Sequence, residues 1–453
     1  MESKNATPNS GEFSPLAAPT GGAPPPATIG LATAIAILVS NMVGTGVFTS
    51  LGFQVIDLSS GFALLALWVV GAMLALAGAI CYAELGAMLP QSGGEYVYLA
   101  RAWSPRWGFI GGFVSMTAGF SAPIAIAAIA FGRYASALLP VAPMALTAGV
   151  LVLVGTVHWA RAAGARVFQL ATTSITLVLV VGFIVTGLVV GPVEPLSFAP
   201  SPAAWRDIAS APFAISLIYV VYAYTGWNAI GYVAGEIREP QRTIPRAVVI
   251  AVLLVASLYL LLHWVFLRTV PLDTLRGTVE VGTLSGTRIL GDVGGQVVSG
   301  IIALVLVATI SGFLFAGARV TQAVGAGSPG LAWLAAFATD GVPRRALALQ
   351  FALIAVLIVT ASFEAVLAYA GIALNLSNLL AVVGLMRLRV REPQLARPFR
   401  TPLYPLAPLT FAALSLWMIG FVISQRPAVI VAAAGTLGAG ALLYEFARRP
   451  RGV

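Results

Sequence analysis

From Ile29 to Phe446 the chain is a succession of apolar runs, most of about 18 residues or more, separated by short polar segments. About 20 apolar residues wound as a helix cross the hydrocarbon of a bilayer. Inside lipid each backbone N–H and C=O must find a partner within the protein, so helices are the spanning element that runs of this length can form. They read as about twelve spanning helices, over 29–53, 60–88, 105–139, 142–158, 165–191, 211–235, 246–270, 294–325, 345–361, 364–388, 404–424 and 427–446. The expected fold class is an all-α polytopic membrane protein. Composition points the same way: 59% of the residues are apolar and 9% charged, whereas soluble domains carry about a quarter charged residues.

The net charge is +9 and the basic residues are arginines, apart from Lys4. They stand singly or in short groups between apolar runs, the pattern of membrane flanks rather than of a nucleic-acid surface. With the N-terminus placed inside, six basic residues (Arg133, Arg206, Arg268, Arg276, Arg288 and Arg426) fall on outer segments and the other 19 of 25 on inner ones. That bias puts both termini in the cytoplasm, and the composition fits a bacterial inner (plasma) membrane. Residues 1–28 are rich in Pro, Gly, Ser and Ala and lack the plan of a secretory signal; they read as a disordered cytoplasmic tail. Residues 29–191 and 211–388 would each hold five helices, 404–446 an appended pair, and 447–453 a short cytoplasmic tail. The longest outer interhelical segment, 271–292, is expected to be a capping loop.

Cys81 is the single cysteine and His158 and His263 are the only histidines. No disulfide, metal cluster or cofactor motif follows, and no external cysteine is suited to holding a covalently linked partner subunit. There is no nucleophile elbow or Walker loop, which argues against an enzyme and against a primary pump. Glu84 and Glu95 lie near the edges of the second run and read as structural. Glu236, Arg238, Glu239, Arg242 and Arg246 read as a solvated interface or gate. His263 reads as a hydrogen-bonded packing residue. Asn375 and Asn378 either line a cavity or join helices. Trp103, Trp107, Trp205 and Trp264 read as interfacial aromatics.

Two runs have interiors unsuited to a plain helix. The first holds Asn41-Met42-Val43-Gly44-Thr45-Gly46-Val47-Phe48, and the sixth holds Tyr222-Ala223-Tyr224-Thr225-Gly226-Trp227-Asn228. A glycine costs about 1 kcal/mol against alanine inside a helix and admits another group close to the backbone. Backbone unwound at mid-membrane is tolerable only inside protein or beside a polar cavity. There, the N–H groups and positive dipole end of one half-helix suit a carboxylate, and the carbonyls ending the other suit an ammonium. Gly-x-Gly can also be a simple close-packing notch. Two interruptions at the first and sixth helices are corresponding positions of two inverted five-helix halves, which is the pointer to a transporter site. A bulky residue at Gly46 is expected to abolish binding and leave the fold intact.

At these residues the chain resembles the amino acid–polyamine–organocation superfamily. Asn41 to Phe48 is similar to its first-helix motif. Ala223 to Asn228, with Gly235-Glu-Ile-Arg-Glu-Pro-Gln-Arg-Thr-Ile-Pro-Arg-Ala247, is similar to its L-type amino acid transporter branch and bacterial relatives. Pro90-Gln-Ser-Gly-Gly-Glu-Tyr96 and Arg397-Pro-Phe-Arg400 with Tyr404-Pro405 match two of its loops. The resemblance, over roughly 28–446, implies ten helices in inverted repeats with helices 1 and 6 broken, plus two appended. It implies a substrate carboxylate on the Gly44, Thr45 and Gly46 backbone and the Thr45 hydroxyl, and an amine on the carbonyls of Met42, Tyr222 and Thr225. Tyr222 would stand at an aromatic gate and Asn228 would brace the unwound segment. Where close relatives often carry glycine this chain has Thr225, which favours small or medium neutral amino acids. Many relatives carry a lysine in helix five; here stand Thr172, Thr173, Ser174 and Thr176. With Thr309 and Ser311 of helix eight, Thr172 and Thr173 are candidates for an ion or coupling site, Na+ or H+ being left open.

The function expected is a secondary amino acid transporter working by alternating access, by exchange or ion-coupled uptake, with the substrate and membrane lipid as its partners. A polyamine or organic-cation carrier of the same fold would need a carboxylate in the pocket, and neither broken segment has an acid. A non-transporting membrane sensor is the rival of another class.

Overall fold

The computed structural model describes residues 28–160, 165–338 and 341–449, with side chains of 165–173 excluded. The expectations for residues 1–27 and 450–453 of the two tails, and for the side chains of Thr172 and Thr173, lie outside the described residues. The helices in order are α1 (Leu31–Met42), α2 (Thr45–Thr49), α3 (Leu51–Gln54), α4 (Gly61–Met88), α5 (Glu95–Ala102), α6 (Pro105–Val114), α7 (Ala122–Ser136), α8 (Pro143–Ala160) and α9 (Ala165–Val189). They continue as α10 (Pro202–Ile208), α11 (Ala211–Tyr224), α12 (Pro240–Thr269), α13 (Leu272–Leu275), α14 (Val281–Ala326), α15 (Arg344–Thr360), α16 (Phe363–Arg391), α17 (Leu406–Gln425) and α18 (Pro427–Ala447). A π-helical stretch, Ser115–Ser121, joins α6 to α7, and 3-10 stretches cover Trp227–Glu236 and Pro329–Ala335.

Among the described residues, ten helical segments are long and apolar enough to cross a membrane. The fold class read from the apolar runs therefore stands: this is an all-helical, multi-pass membrane protein. Its outside is apolar, with Val152, Val178, Val359 and Leu442 well exposed, and the polar side chains are turned inward. Lipid asks no charge of the surface, so the bundle can spend its tyrosines inside. Tyr82, Tyr98, Tyr134, Tyr224 and Tyr259 are all among its largest fully buried side chains. A phenol presents an apolar ring to packing and a hydroxyl to freed backbone.

Most boundaries shift by a few residues, and two shifts have a clear physical cause. α12 starts at Pro240, not 246, because a proline at the first helical position forfeits only an N–H that has no intrahelical partner there. The 271–292 segment is largely helical rather than a loop: it contains α13 and the start of α14, which turns at Gly291, whose φ of +74° is left-handed. It does cap the first helix. The Gly277 N–H donates to the Gly52 carbonyl at 2.8 Å, and a Cβ on Gly52 would fall 2.0 Å from the Thr278 carbonyl oxygen. The Tyr134 hydroxyl reaches the carbonyls of Phe48 at 2.9 Å and Val279 at 3.3 Å.

We call this the far side, and that of Thr28 the near side. On the near side the N–H groups of Thr28 and Ile29 both donate to the Glu236 carbonyl at 3.0 Å, and the Arg238 N–H to that of Ile29 at 2.9 Å. The start of the first helix is thus hydrogen-bonded to the end of the 3-10 stretch.

Candidate functional site

Both expected interruptions are present. α1 stops at Met42, Val43 is extended, and the chain resumes as α2 at Thr45. α11 stops at Tyr224; Thr225 is extended and Gly226 has φ +130° before the 3-10 stretch begins. Only glycine takes that φ without strain. The interruptions lie against one another. A Cβ on Gly226 would be 2.5 Å from the Asn41 carbonyl carbon and oxygen, and one on Gly46 would be 2.8 Å from the Cα and Cβ of Ala223.

Gly44 differs from both. The nearest atom to a Cβ built there is Thr309 Cγ2 at 3.7 Å. The first N–H groups of a helix have no intrahelical partner, and none of the described interhelical backbone bonds takes up those of Gly44, Thr45 or Gly46. Thr45 is buried, 3% exposed, and its hydroxyl has no hydrogen-bond partner. A buried polar atom left without a partner costs about 1–3 kcal/mol, so this cluster of unspent donors is where an anion would be stabilised.

The carbonyl side is already braced. The Tyr259 hydroxyl, from the middle of α12, lies 2.6 Å from the Met42 carbonyl and 3.1 Å from that of Ala223. One phenol therefore joins the ends of both half-helices. Each carbonyl oxygen has a second lone pair, so Met42 can still accept from a ligand. The Tyr222 carbonyl accepts from the Thr225 N–H at 3.0 Å. The Thr225 hydroxyl donates back to Val221 at 2.9 Å, which leaves its methyl as the group free for contact. Tyr222 is buried, and its ring edge lies 3.2 Å from where a Gly46 Cβ would stand.

Asn228 is not hydrogen-bonded to the unwound backbone. Its amide donates to the Glu95 carboxylate of α5 at 2.7 Å, which ties the 3-10 stretch to the interhelical segment after α4. Of the candidate coupling residues, the Thr309 hydroxyl donates to Val305 one turn back at 3.0 Å, and the Ser311 hydroxyl meets His158 Nε2 at 2.8 Å. Thr176 is buried on α9. The structure thus brings together Met42, Gly44, Thr45, Gly46, Tyr222 and Thr225 around the crossing, with Thr309 facing Gly44 and Asn228 just beyond.

The sequence reading passed over Tyr259, His158 and Tyr134. Tyr259 sits in an apolar run 217 residues from its Met42 partner, so no local pattern marks it; His158 was noticeable only as one of two histidines. His263 is a packing residue as expected: it is fully buried, stacked on Trp68 with ring centroids 3.6 Å apart, and its Nδ1 meets the Tyr259 carbonyl at 2.8 Å. Asn375 and Asn378 join helices, to Ser415 and Tyr82 respectively. Cys81 is buried in α4.

A family model described as amino acid permease matches residues 29–438. The chain is similar to the b(0,+)-type amino acid transporter 1 of Mus musculus, 27% identical over 88% of this chain and 83% of the relative. It is similar to the Asc-type amino acid transporter 1 of Mus musculus, 26% identical over 88% of this chain and 77% of the relative. The cystine/glutamate transporter of Homo sapiens is 26% identical over 87% of this chain and 79% of its own length.

Proposed function

The chain belongs to the amino acid permease family, and from that premise we propose that it is a secondary carrier of small to medium neutral L-amino acids, bound at the crossing of the two interruptions. The unpartnered donors at Gly44, Thr45 and Gly46 carry this reading. They would take the carboxylate with no charged side chain, helped by the positive end of α2. The ammonium would sit on the free lone pairs of Met42 and Tyr222 and on the Thr225 carbonyl. The Thr225 side chain, with its hydroxyl spent on Val221, would put a methyl against the substrate side chain and limit its size. A zwitterion held by backbone dipoles needs no metal or cofactor.

Movement between the two sides would follow the two half-helix pairs, the five-helix halves being related as inverted repeats. The 271–290 segment, hydrogen-bonded to Gly52 of α3, would close the far side, and the substrate would then reach the site from the near side. By the arginine distribution both termini would lie in the cytoplasm, and the membrane would be a bacterial inner membrane. The names of the relatives above support amino acids as the cargo; exchange would be the mode, with ion coupling as the alternative.

The test is a panel of neutral L-amino acids in a thermal-shift assay on purified protein. One or more should raise Tm, and Thr45→Val, which removes only the unpartnered hydroxyl, should keep the unliganded Tm while weakening binding about tenfold, the order of one hydrogen bond to a charged group. A full ligand shift in Thr45→Val would overturn the site.

A further inference from the structure

Two buried glutamates lie eleven positions apart on either side of the α4–α5 turn, and their surroundings are opposite. Glu84, 0% exposed, is held by groups that can only donate: Arg389 Nε at 3.0 Å with Nη2 on the other oxygen, Arg397 at 3.6 Å, and the Thr401 N–H at 2.7 Å. That cage fits a carboxylate anion and nothing else. Glu95, 2% exposed, has no basic side chain within ion-pair reach among the described residues. Its neighbours are the Asn228 amide at 2.7 Å, the Tyr232 hydroxyl at 2.6 Å and the Tyr82 hydroxyl at 3.2 Å. Each of these can donate or accept.

The chain of bonds beyond Glu95 can therefore run in either direction. Tyr232 lies 3.0 Å from the Ser115 hydroxyl on the π-helical stretch. With Glu95 ionised, Ser115 donates to Tyr232 and Tyr232 to Glu95. With a proton on the Glu95 oxygen that faces Tyr232, Glu95 donates to Tyr232 and Tyr232 to Ser115, while the other Glu95 oxygen still accepts from the Asn228 amide N–H. The single hydrogen of the Tyr82 hydroxyl is offered to two acceptors in both states, Asn378 Oδ1 at 2.8 Å and, at 3.2 Å, the Glu95 oxygen that Asn228 also meets. No buried group is orphaned in either state. A buried charge without a counter-charge is costly, so a buried acid that can also be satisfied when neutral is a candidate for proton movement.

The other ionisable groups on the elements around Glu95 are engaged elsewhere. Arg101 pairs with Glu392, Arg387 lies over the Trp103 ring, Arg389 is on Glu84, and Arg106 and Arg391 are exposed. Glu236 ends the 3-10 stretch, more than two turns past Asn228. Tyr98 of α5 is neutral, since burial first, and then Glu95, pushes its phenol well above its ordinary value.

We propose that Glu95 is the proton-carrying residue of this transporter, taking one proton per transport cycle and so linking amino acid movement to a pH gradient. This rests on the permease reading above and adds the coupling ion to it. The step is a simple exchange: an O–H bond forms on a Glu95 oxygen with a proton from bulk water on one side, the site loses one negative charge, and the same proton leaves to the other side. Charge on Glu95 fixes Asn228 and Tyr232, and with them the 3-10 stretch; the proton relaxes that hold.

The experiment uses the full chain in proteoliposomes, a labelled mixture of L-alanine, L-serine, L-leucine and L-phenylalanine, and a pH dye inside. Wild type should exchange label in counterflow, accumulate it when the interior is alkaline, and acidify the interior as it does so. Glu95→Gln, which keeps an acceptor and gains an amide, should still exchange but lose both accumulation and acidification. Accumulation with acidification by Glu95→Gln would overturn the proposal. So would a wild type that exchanges label yet neither responds to the gradient nor moves protons; that result leaves the permease reading standing. A wild type without counterflow of any of the four brings down the permease reading itself. Should Glu95→Gln fail to fold, the wild-type dye signal alone still decides for or against proton movement.

Discussion

The two interruptions meet at one crossing but are built for different loads. In the first, Val43 and Gly44 leave the helix and α2 resumes as an α-helix, so donors are left unpartnered while Gly44 is only in ordinary contact with Thr309. In the second, Gly226 is pressed against the Asn41 backbone and the chain goes on as a 3-10 stretch. A 3-10 stretch has poorer hydrogen-bond geometry and is used in short pieces where helices hinge. The first interruption is therefore suited to receive a ligand, and the second to hold the first in place and to move. A pair of glycines with the same sequence signal can have opposite tolerance to change.

Substitution sharpens this contrast. Gly226→Val should be the most damaging change, since it meets both a forbidden φ and a backbone overlap; about 3 kcal/mol or more of lost stability is expected, read as loss of monodisperse protein. Gly44→Val, with room beside it, should stay folded and lose amino acid binding. Equal folding of the two variants would erase the distinction. Tyr259→Phe should come next. It removes the one hydroxyl joining both half-helix ends, and transport should fall about 10- to 100-fold, the range of one to two strong hydrogen bonds, with Tm lowered only slightly. Unchanged initial rates would show that the two ends need no common brace. Thr225→Gly should be the mildest: competition assays should show preference moving towards larger side chains by less than about tenfold, as expected for a small change in an apolar wall.

Much of this was legible before any coordinates. Helix positions followed from the apolar runs because lipid leaves the backbone no alternative partner. Gly44–Gly46 and Gly226 marked the interruptions because mid-helix glycine is unfavourable without a reason. What escaped was set by partners distant in the chain. Gly46 looked like an open cradle, yet a Cβ there would strike Ala223; Gly44 is the sound probe, and a bulky residue at Gly46 would force the two helices apart. Glu95 looked like a structural acid at a helix edge, and only its partners, Tyr82 of α4 with Asn228 and Tyr232 of the 3-10 stretch in place of arginines, distinguish it from Glu84. Tyr259 had no local signature at all.

The hydrogen bonds from Thr28 and Ile29 to Glu236, returned by Arg238 to Ile29, yoke the near-side arms of the first and sixth helices. Two levers fastened at their tips would swing as one body, so in the carrier proposed above access from that side would open in a single stroke, with one barrier to cross and no half-open leak between two separate latches.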